Sequence, residues 1–389
     1  MEKYEGVHRQ RALLCSVTAL FWFAQYVYVP FLTPYLIALS ISATVVGVVV
    51  GAYGVTQLVL RIPLGIFIDI VRNHKLFILI GTFLAGVSSV GMMISPSPVV
   101  LCIANGLSGV ASSTWISFTV LYPSYYDKSE GTKAIGIISL SSNCGRLAAF
   151  VIGGLLYEYV GIRGLFLASF ASGLIGSVLT FFIKREGDTG RVDITIAGAG
   201  RIMKDRDLLF SSIMAALVYL IIFGTVFSFS TSTAKDLGAT GLELAFCVAL
   251  FSAAGIGGAY SVGTRSARRV GEAMVLVAAF LLIGVYCLGI AFSHSVIQLF
   301  PLQVIAGFAN GVLSSSLMAR AVRGIGQDRK STAMGFYQSV YCLGITLGPV
   351  LMGFFVEHTS THASFVIMSL VALSCSAAIP FLSRIGGRT

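Results

Sequence analysis

The chain has 389 residues, of which 56% are hydrophobic and only 11% are charged. A water-soluble domain carries about 25% charged residues, so a soluble globular fold is excluded. The net charge of +10 would suit a nucleic-acid binder, but the basic residues are confined almost entirely to short polar stretches between apolar runs.

Apolar runs of about 20 residues recur along the whole length, each long enough to cross a hydrocarbon core as a helix. In chain order, spans are predicted at about 12–39, 43–68, 76–94, 99–122, 134–157, 163–183, 208–233, 242–262, 272–293, 295–319, 332–356 and 363–383. The first lacks a small-residue cleavage site and is followed by further spans, so it is predicted as a membrane helix and not as a signal peptide. The expected fold class is an all-α polytopic membrane protein, with twelve transmembrane helices in two pseudo-symmetric six-helix bundles.

Twelve crossings put both termini on one side, and 22 of the 26 Lys and Arg residues fall on that side. Arg163 and Lys235 lie opposite, and Arg61 and Arg146 lie within spans. By the positive-inside rule both termini are cytoplasmic and the protein sits in the cytoplasmic (inner) membrane. Anionic lipid headgroups are then the partners of the basic loops, and nucleic acid is not.

Cys15, Cys102, Cys144, Cys247, Cys287, Cys342 and Cys375 all lie in apolar runs, with no CxxC pair. They read as apolar filler, so no metal site, disulfide framework or cofactor is expected.

The long polar segment Lys184–Asp207 separates six spans from six. This predicts an N-terminal bundle over 1–183, a cytoplasmic linker over 184–207 and a C-terminal bundle over 208–389. The halves repeat each other: "TKAIGIISLSSNCG" from Thr132 overlies "STAMGFYQSVYCLG" from Ser331 at an offset of 199. The same offset pairs Gly145 with Gly344 and Glu158 with Glu357. Such a repeat implies two bundles with a site near the midplane. Asn, Gln and Arg residues inside spans support this: every third span, three, six, nine and twelve, has none, although spans seven and eight lack them too. Those four are expected to face lipid while the others surround a wet cavity.

Between spans two and three, "GIFIDIVRNHK" resembles the loop signature of the major facilitator superfamily: Gly65, then Asp69, Arg72 and Lys75. The resemblance covers essentially the whole chain. It implies a tight turn at Gly65 and a gating role for Asp69, which in the family helps close the cytoplasmic side by pairing with basic groups. Ile70 stands where the family usually has glycine. Arg61, close to this loop, is assigned to the gate or to local backbone.

Span five resembles the family's glycine-rich antiporter signature through Gly136, Gly145, Gly153 and Gly154, with Ala149-Phe150 in place of Gly-Pro. Span eleven keeps the pair, with Gly335, Gly344, Gly348, Pro349 and Gly353. These small residues are expected to pack helices closely, and the resemblance points toward exporters. Asn105 occupies a place where proton-linked members often have arginine, which argues against the standard proton route.

No Asp, Glu or His lies deep in a span, so nothing offers a buried counter-charge to an organic cation. Arg146 does lie deep, about midway between Lys133 and Glu158. An arginine there costs roughly 2.5–3.5 kcal/mol on insertion scales. Ser139, Ser142 and Asn143 share its helical face. It either meets a negative group on a solute or bonds helix-end carbonyls, and the first reading is preferred. Further candidates to line the site are Trp22, Gln25 and Tyr26 in span one, and Asn105 and Trp115 in span four. Asn310 in span ten, and Tyr337, Gln338 and Tyr341 in span eleven, complete the set.

The expected function is secondary transport of a small organic solute, anionic or zwitterionic, by alternating access, with efflux favoured over uptake. The protein is expected to act as a monomer, with a coupling proton or counter-anion as a second partner. A multidrug exporter with a mainly aromatic cavity is the alternative within transport. A membrane receptor or scaffold is the alternative of another class, and the chain has no extended extramembrane region to support it. No nucleophile set, metal cluster or phosphate loop can be assembled, so an enzyme is not expected.

Overall fold

The computed structural model describes residues 2–71, 73–127, 130–184, 205–262, 271–323, 325–326 and 330–386. Among them only helices and their connections occur. This follows from the composition, because backbone in hydrocarbon must satisfy its polar groups within its own segment.

In chain order the helices are α1 (Glu2–Tyr26), α2 (Val29–Ala38), α3 (Ala43–Val71), α4 (His74–Ile94), α5 (Pro98–Ser113), α6 (Trp115–Leu121) and α7 (Gly131–Phe181). After the central segment come α8 (Arg206–Gly224), a π-helical turn (Thr225–Phe229), α9 (Ser230–Asp236) and α10 (Gly241–Ser261). Then follow α11 (Glu272–Ala291), α12 (Val296–Ala321), α13 (Lys330–His358) and α14 (Thr361–Gly386).

Among the described residues, eleven helical stretches are long and apolar enough to cross a membrane. One of them, Lys133–Phe181, runs for 49 residues and covers both predicted spans five and six. It consists of two helices that meet at Gly161, whose φ of 61° and ψ of −172° break the axis between them. That region of backbone space is essentially glycine's alone. Predicted span one divides at residues 27–28, just before Pro30, whose missing N–H and ring forbid a regular turn there.

Polar side chains mark several helix starts. Asn73 accepts from the Leu76 amide at 3.3 Å, and Asp205 from the Leu208 amide at 3.0 Å. Thr240 and Glu243 form a reciprocal capping box on α10. Helix α8 begins at Arg206, two residues before the predicted start of span seven.

Contacts divide the chain into two units, one of Met1–Leu32 with Val55–Arg191, the other of Thr33–Gly54 with Val192–Thr389. Most of the predicted linker, residues 185–204, lies outside the described residues.

In the first unit α1 runs along α7, and a Cβ at Gly145 or Gly153 would strike the backbone at Ala19 or Val27. Ser169 and Ser172 of α7 donate to the Ala24 and Leu20 carbonyls at 2.7 and 2.9 Å. Helix α4 packs on the later part of α7, where Gly86 meets Gly173 and Thr82 bonds Ser177 at 3.0 Å.

The second unit repeats the first pattern. Helix α8 runs along α13, with Gly344 on Ala216 and Gly348 on Leu220. Helices α10 and α12 meet at Gly307, Gly311 and Gly258, and Ser369 of α14 donates to the Gly284 carbonyl of α11 at 2.9 Å. The first part of α3 also packs on α13, with Ala43 against Gly353 and Gly47 against Pro349.

The glycine motifs therefore divide by environment. Gly145, Gly153, Gly344, Gly348 and Gly353 are contact points, and Gly154 is buried. Gly136 and Gly335 differ from expectation: a Cβ on either would have nothing within 4 Å. They match the family pattern without packing a helix.

Candidate functional site

Arg146 takes its place from its neighbour. Gly145 lets α7 approach α1 at Ala19, and the arginine beside it then reaches the α1 face one turn further on. Its guanidinium carbon lies 4.3 Å from the centre of the Trp22 ring and 5.4 Å from that of Tyr26. Trp22 and Tyr26 are four residues apart and so share one helical face. Trp115, the first residue of α6, meets Trp22 edge-on with ring centres 5.3 Å apart. Phe21, Phe118 and Phe150 complete this aromatic shell.

The guanidinium is poorly supplied with acceptors. Among the described residues its one hydrogen bond, from Nη2 to the Ser142 hydroxyl, is 3.5 Å long, at the outer limit for such a bond. Its Nε and the Trp22 indole Nε1 are both buried with no partner. Among the described residues no carboxylate pairs with Arg146. Cation–π attraction to Trp22 and Tyr26 contributes about 1–2 kcal/mol in a desolvated place, less than the insertion cost. The group therefore has capacity left for an anion.

Other predicted site residues are disposed differently. Gln25 is paired at both ends with Ser108: its amide N–H donates to the Ser108 carbonyl at 3.0 Å, and its carbonyl accepts from the Ser108 hydroxyl. It fastens α1 to α5. Asn105 is buried on α5, and Asn143 is half-buried on α7.

The remaining candidates belong to the second unit. Tyr341 stacks on Tyr219 at 4.5 Å and meets Tyr337 edge-on at 5.6 Å. Phe223 at the end of α8 and Phe227 in the π-helical turn extend this cluster. Gln338 is half-buried, and the side-chain oxygen of Asn310 accepts from Ser314 at 3.4 Å. The sequence reading did not include Phe223 and Phe227, although 219, 223 and 227 form an i, i+4 aromatic stripe that could have flagged them.

At the predicted gate, α3 continues unbroken to Val71, so Gly65 lies inside a helix and is not the tight turn expected. The helix extends beyond the expected turn, and α4 begins at His74. Arg61 is buried. Lys75 donates to the Phe181 carbonyl at 2.7 Å, which ties α4 to the end of α7. The Asp69 side chain and Arg72 lie outside the described residues.

Two further features stand apart from the Arg146 site. Arg320 of α12 is nearly buried, 2.7 Å from Asp207 and 3.9 Å from Glu272, and lies over the Phe210 ring. This cluster joins the starts of α8 and α11 to the end of α12. A groove of about 460 Å³ between α8 and α14 is lined mainly by apolar side chains, including Met214, Leu217 and Leu370. It offers nothing for a charged group. Among the described residues no three His, Cys, Asp or Glu side chains are grouped to hold a metal.

Comparison with known proteins agrees with this architecture. An uncharacterized MFS-type transporter of Methanocaldococcus jannaschii is 23% identical over 337 residues, covering 84% of this chain and 86% of that protein. The multi-drug resistance efflux pump PmrA of Streptococcus pneumoniae is 26% identical over 299 residues, 73% of each chain. Among solved structures, the nucleoside transporter NupG superposes with a TM-score of 0.80 at 14% identity, covering 96% of this chain and 98% of that one. A bacterial homolog of the human lysosomal transporter Spinster, inward-facing and unoccupied, gives 0.79 at 15% identity over 97% of each chain. The sequence model of the Major Facilitator Superfamily matches residues 14–272 and 211–385, and the chain belongs to that family of membrane transporters.

Proposed function

We propose that the chain is a secondary transporter of a small anionic or zwitterionic organic solute, working by alternating access, with efflux favoured over uptake. One observation carries this reading. The guanidinium of Arg146 rests on Trp22 and Tyr26, and among the described residues it has no carboxylate partner while its Nε and the Trp22 indole N–H lack acceptors. A carboxylate or phosphate on the solute supplies what these donors lack, and the aromatic faces accommodate its apolar part.

The membrane arrangement belongs to the same proposal. The chain crosses twelve times, with Lys133–Phe181 making two crossings about Gly161, since 49 residues are more than twice what one crossing needs. Both termini lie in the cytoplasm, as the distribution of Lys and Arg requires. The repeat divides the protein into two six-span halves joined by the 184–207 segment. Asp69, with Arg72 and Lys75, acts in the cytoplasmic gate. The protein works as a monomer, and any coupling proton travels on the solute's own acid group or on peripheral carboxylates, because no acid lies deep in a span.

A second reading has its own support. Several relatives are multidrug efflux proteins by name, and the Phe21, Trp22, Trp115 and Phe118 shell would suit large aromatic compounds. Thermal stabilisation of the purified protein by a panel of carboxylates, organic phosphates, zwitterions and cations separates the two. Ligands raise the melting temperature according to affinity and concentration. Stabilisation by anions or zwitterions is expected. Stabilisation confined to lipophilic cations would overturn the anionic reading and favour the multidrug one.

A further inference from the structure

The boundary between the two units does not follow the sequence repeat. Residues 33–54 belong to the first half by sequence, yet they pack within the second unit, and the chain rejoins the first unit at Val55. The segment comprises the end of α2, its connection to α3 and the first part of α3. Gly47, Gly51 and Gly54 are spaced to share one face of α3. That face lies on α13: Gly47 meets the backbone at Pro349 and Val350, while Gly51 and Gly54 meet it at Thr346. From the α13 side, Gly353 meets Ala43 and Gly47. The Gly-Pro pair retained in span eleven thus divides its contacts, Gly348 going to Leu220 of α8 and Pro349 to α3.

A polar tie closes the exposed end of this seam. The Thr44 amide, in the first turn of α3, donates to the Glu357 carboxylate of α13 at 2.8 Å. The first amides of a helix have no partner within it, and a residue just before the helix usually caps them. Here a carboxylate on a different helix does so, and its negative charge also suits the positive end of the helix dipole. A cap of this kind fixes where α3 sits on α13.

We infer that residues 33–54 form a strap that closes the face of the transporter away from the termini and leaves α13 when that face opens, with Glu357 as its latch. The inference rests on the alternating access and topology proposed above. Glycine against backbone suits a joint that must part, because close approach is reached without interlocked side chains that would have to be withdrawn. The Glu357 bond suits it as well, since at an exposed end water replaces the lost partner and no polar group is stranded. Gly344 and Gly348 differ in purpose: they hold α13 to α8, a helix of its own half.

Two measurements on the full-length protein in lipid nanodiscs test this without any solute. Gly47→Ala and Gly344→Ala each press a methyl group on a backbone carbonyl, of Pro349 and of Ala216. If the strap can leave, Gly47→Ala should melt near the wild-type temperature, whereas Gly344→Ala should melt well below it. Hydrogen–deuterium exchange, read by mass spectrometry, supplies the second measurement. Uptake in peptides covering 47–54 and 345–353 should rise several-fold in Gly47→Ala and in Glu357→Ala. Uptake over 145–153, where α7 packs on α1, should not change. Gly47→Ala melting as low as Gly344→Ala would make the seam permanent packing and overturn the inference. Unchanged uptake in Gly47→Ala would remove the strap. Unchanged uptake in Glu357→Ala, or a rise confined to the first turn of α3, would remove the latch, and either result overturns the inference as stated. Since no solute takes part, these failures leave the reading of Arg146 untouched.

Discussion

Replacing Arg146 by alanine separates a group that holds helices from one that reads the solute. Within the protein the side chain has a marginal hydrogen bond to Ser142 at 3.5 Å and aromatic contacts at 4.3 and 5.4 Å. Together these contribute about 1–2 kcal/mol, and the alanine variant also escapes the desolvation cost of the ion. The net change in stability should therefore be small. Binding should change more. Loss of a charge-assisted hydrogen bond costs about 1.5–3 kcal/mol, which is roughly 10- to 150-fold in Kd. Arg146→Lys should recover only part of this, since an ammonium lacks the planar two-donor fork. The assay is calorimetric titration of wild type and both variants with a stabilising carboxylate and its primary amide. The carboxylate should lose affinity in Arg146→Ala, and the amide should be nearly indifferent. Equal losses for both ligands, with a marked fall in melting temperature, would refute the reasoning and leave Arg146 a structural residue.

Asp69→Asn should impair flux in proteoliposomes while expression and helix content stay near wild type; unchanged transport would remove Asp69 from the gate. Gly344→Leu should abolish correctly folded protein on size-exclusion chromatography, because α13 meets the Ala216 backbone there. Gly335→Ala should be neutral or raise stability by up to about 1 kcal/mol in a thermal melt, since its Cβ has open space and alanine favours a helix. Arg320→Met should destabilise by about 2 kcal/mol in the same assay. It strands Asp207 while Glu272 keeps Arg323 at 2.6 Å, and the 35% side-chain exposure of Asp207 keeps the cost below that of a fully buried pair. A permanently charged cation should not be accumulated by a proton gradient in vesicles, because no acid lies deep in a span to exchange for it; robust accumulation would contradict the coupling proposed.

The membrane class, the helical fold and the family could be read from residues in line, because the physics behind them is local. A hydrocarbon core demands long apolar helices, and basic residues collect in the connections between them. The 199-residue repeat reappears as packing, with Gly145 on Ala19 and Gly344 on Ala216. Arg146 also stood out alone, since a deep charge conflicts with its apolar surroundings wherever the helix lies.

Partners from distant helices could not be read that way. Trp22 and Tyr26 share a face by spacing, but only packing adds Trp115 to them and commits Gln25 to Ser108. Gly136 and Gly335 satisfy a motif yet touch nothing, because a small residue permits close approach without causing it. Hydropathy separates spans five and six, but only the backbone puts the break between them at Gly161. The buried Arg146 Nε and Trp22 indole N–H, which lack acceptors among the described residues, belong to the same class. Sequence determines which groups can form hydrogen bonds; the packed helices determine which of those groups are left without a partner.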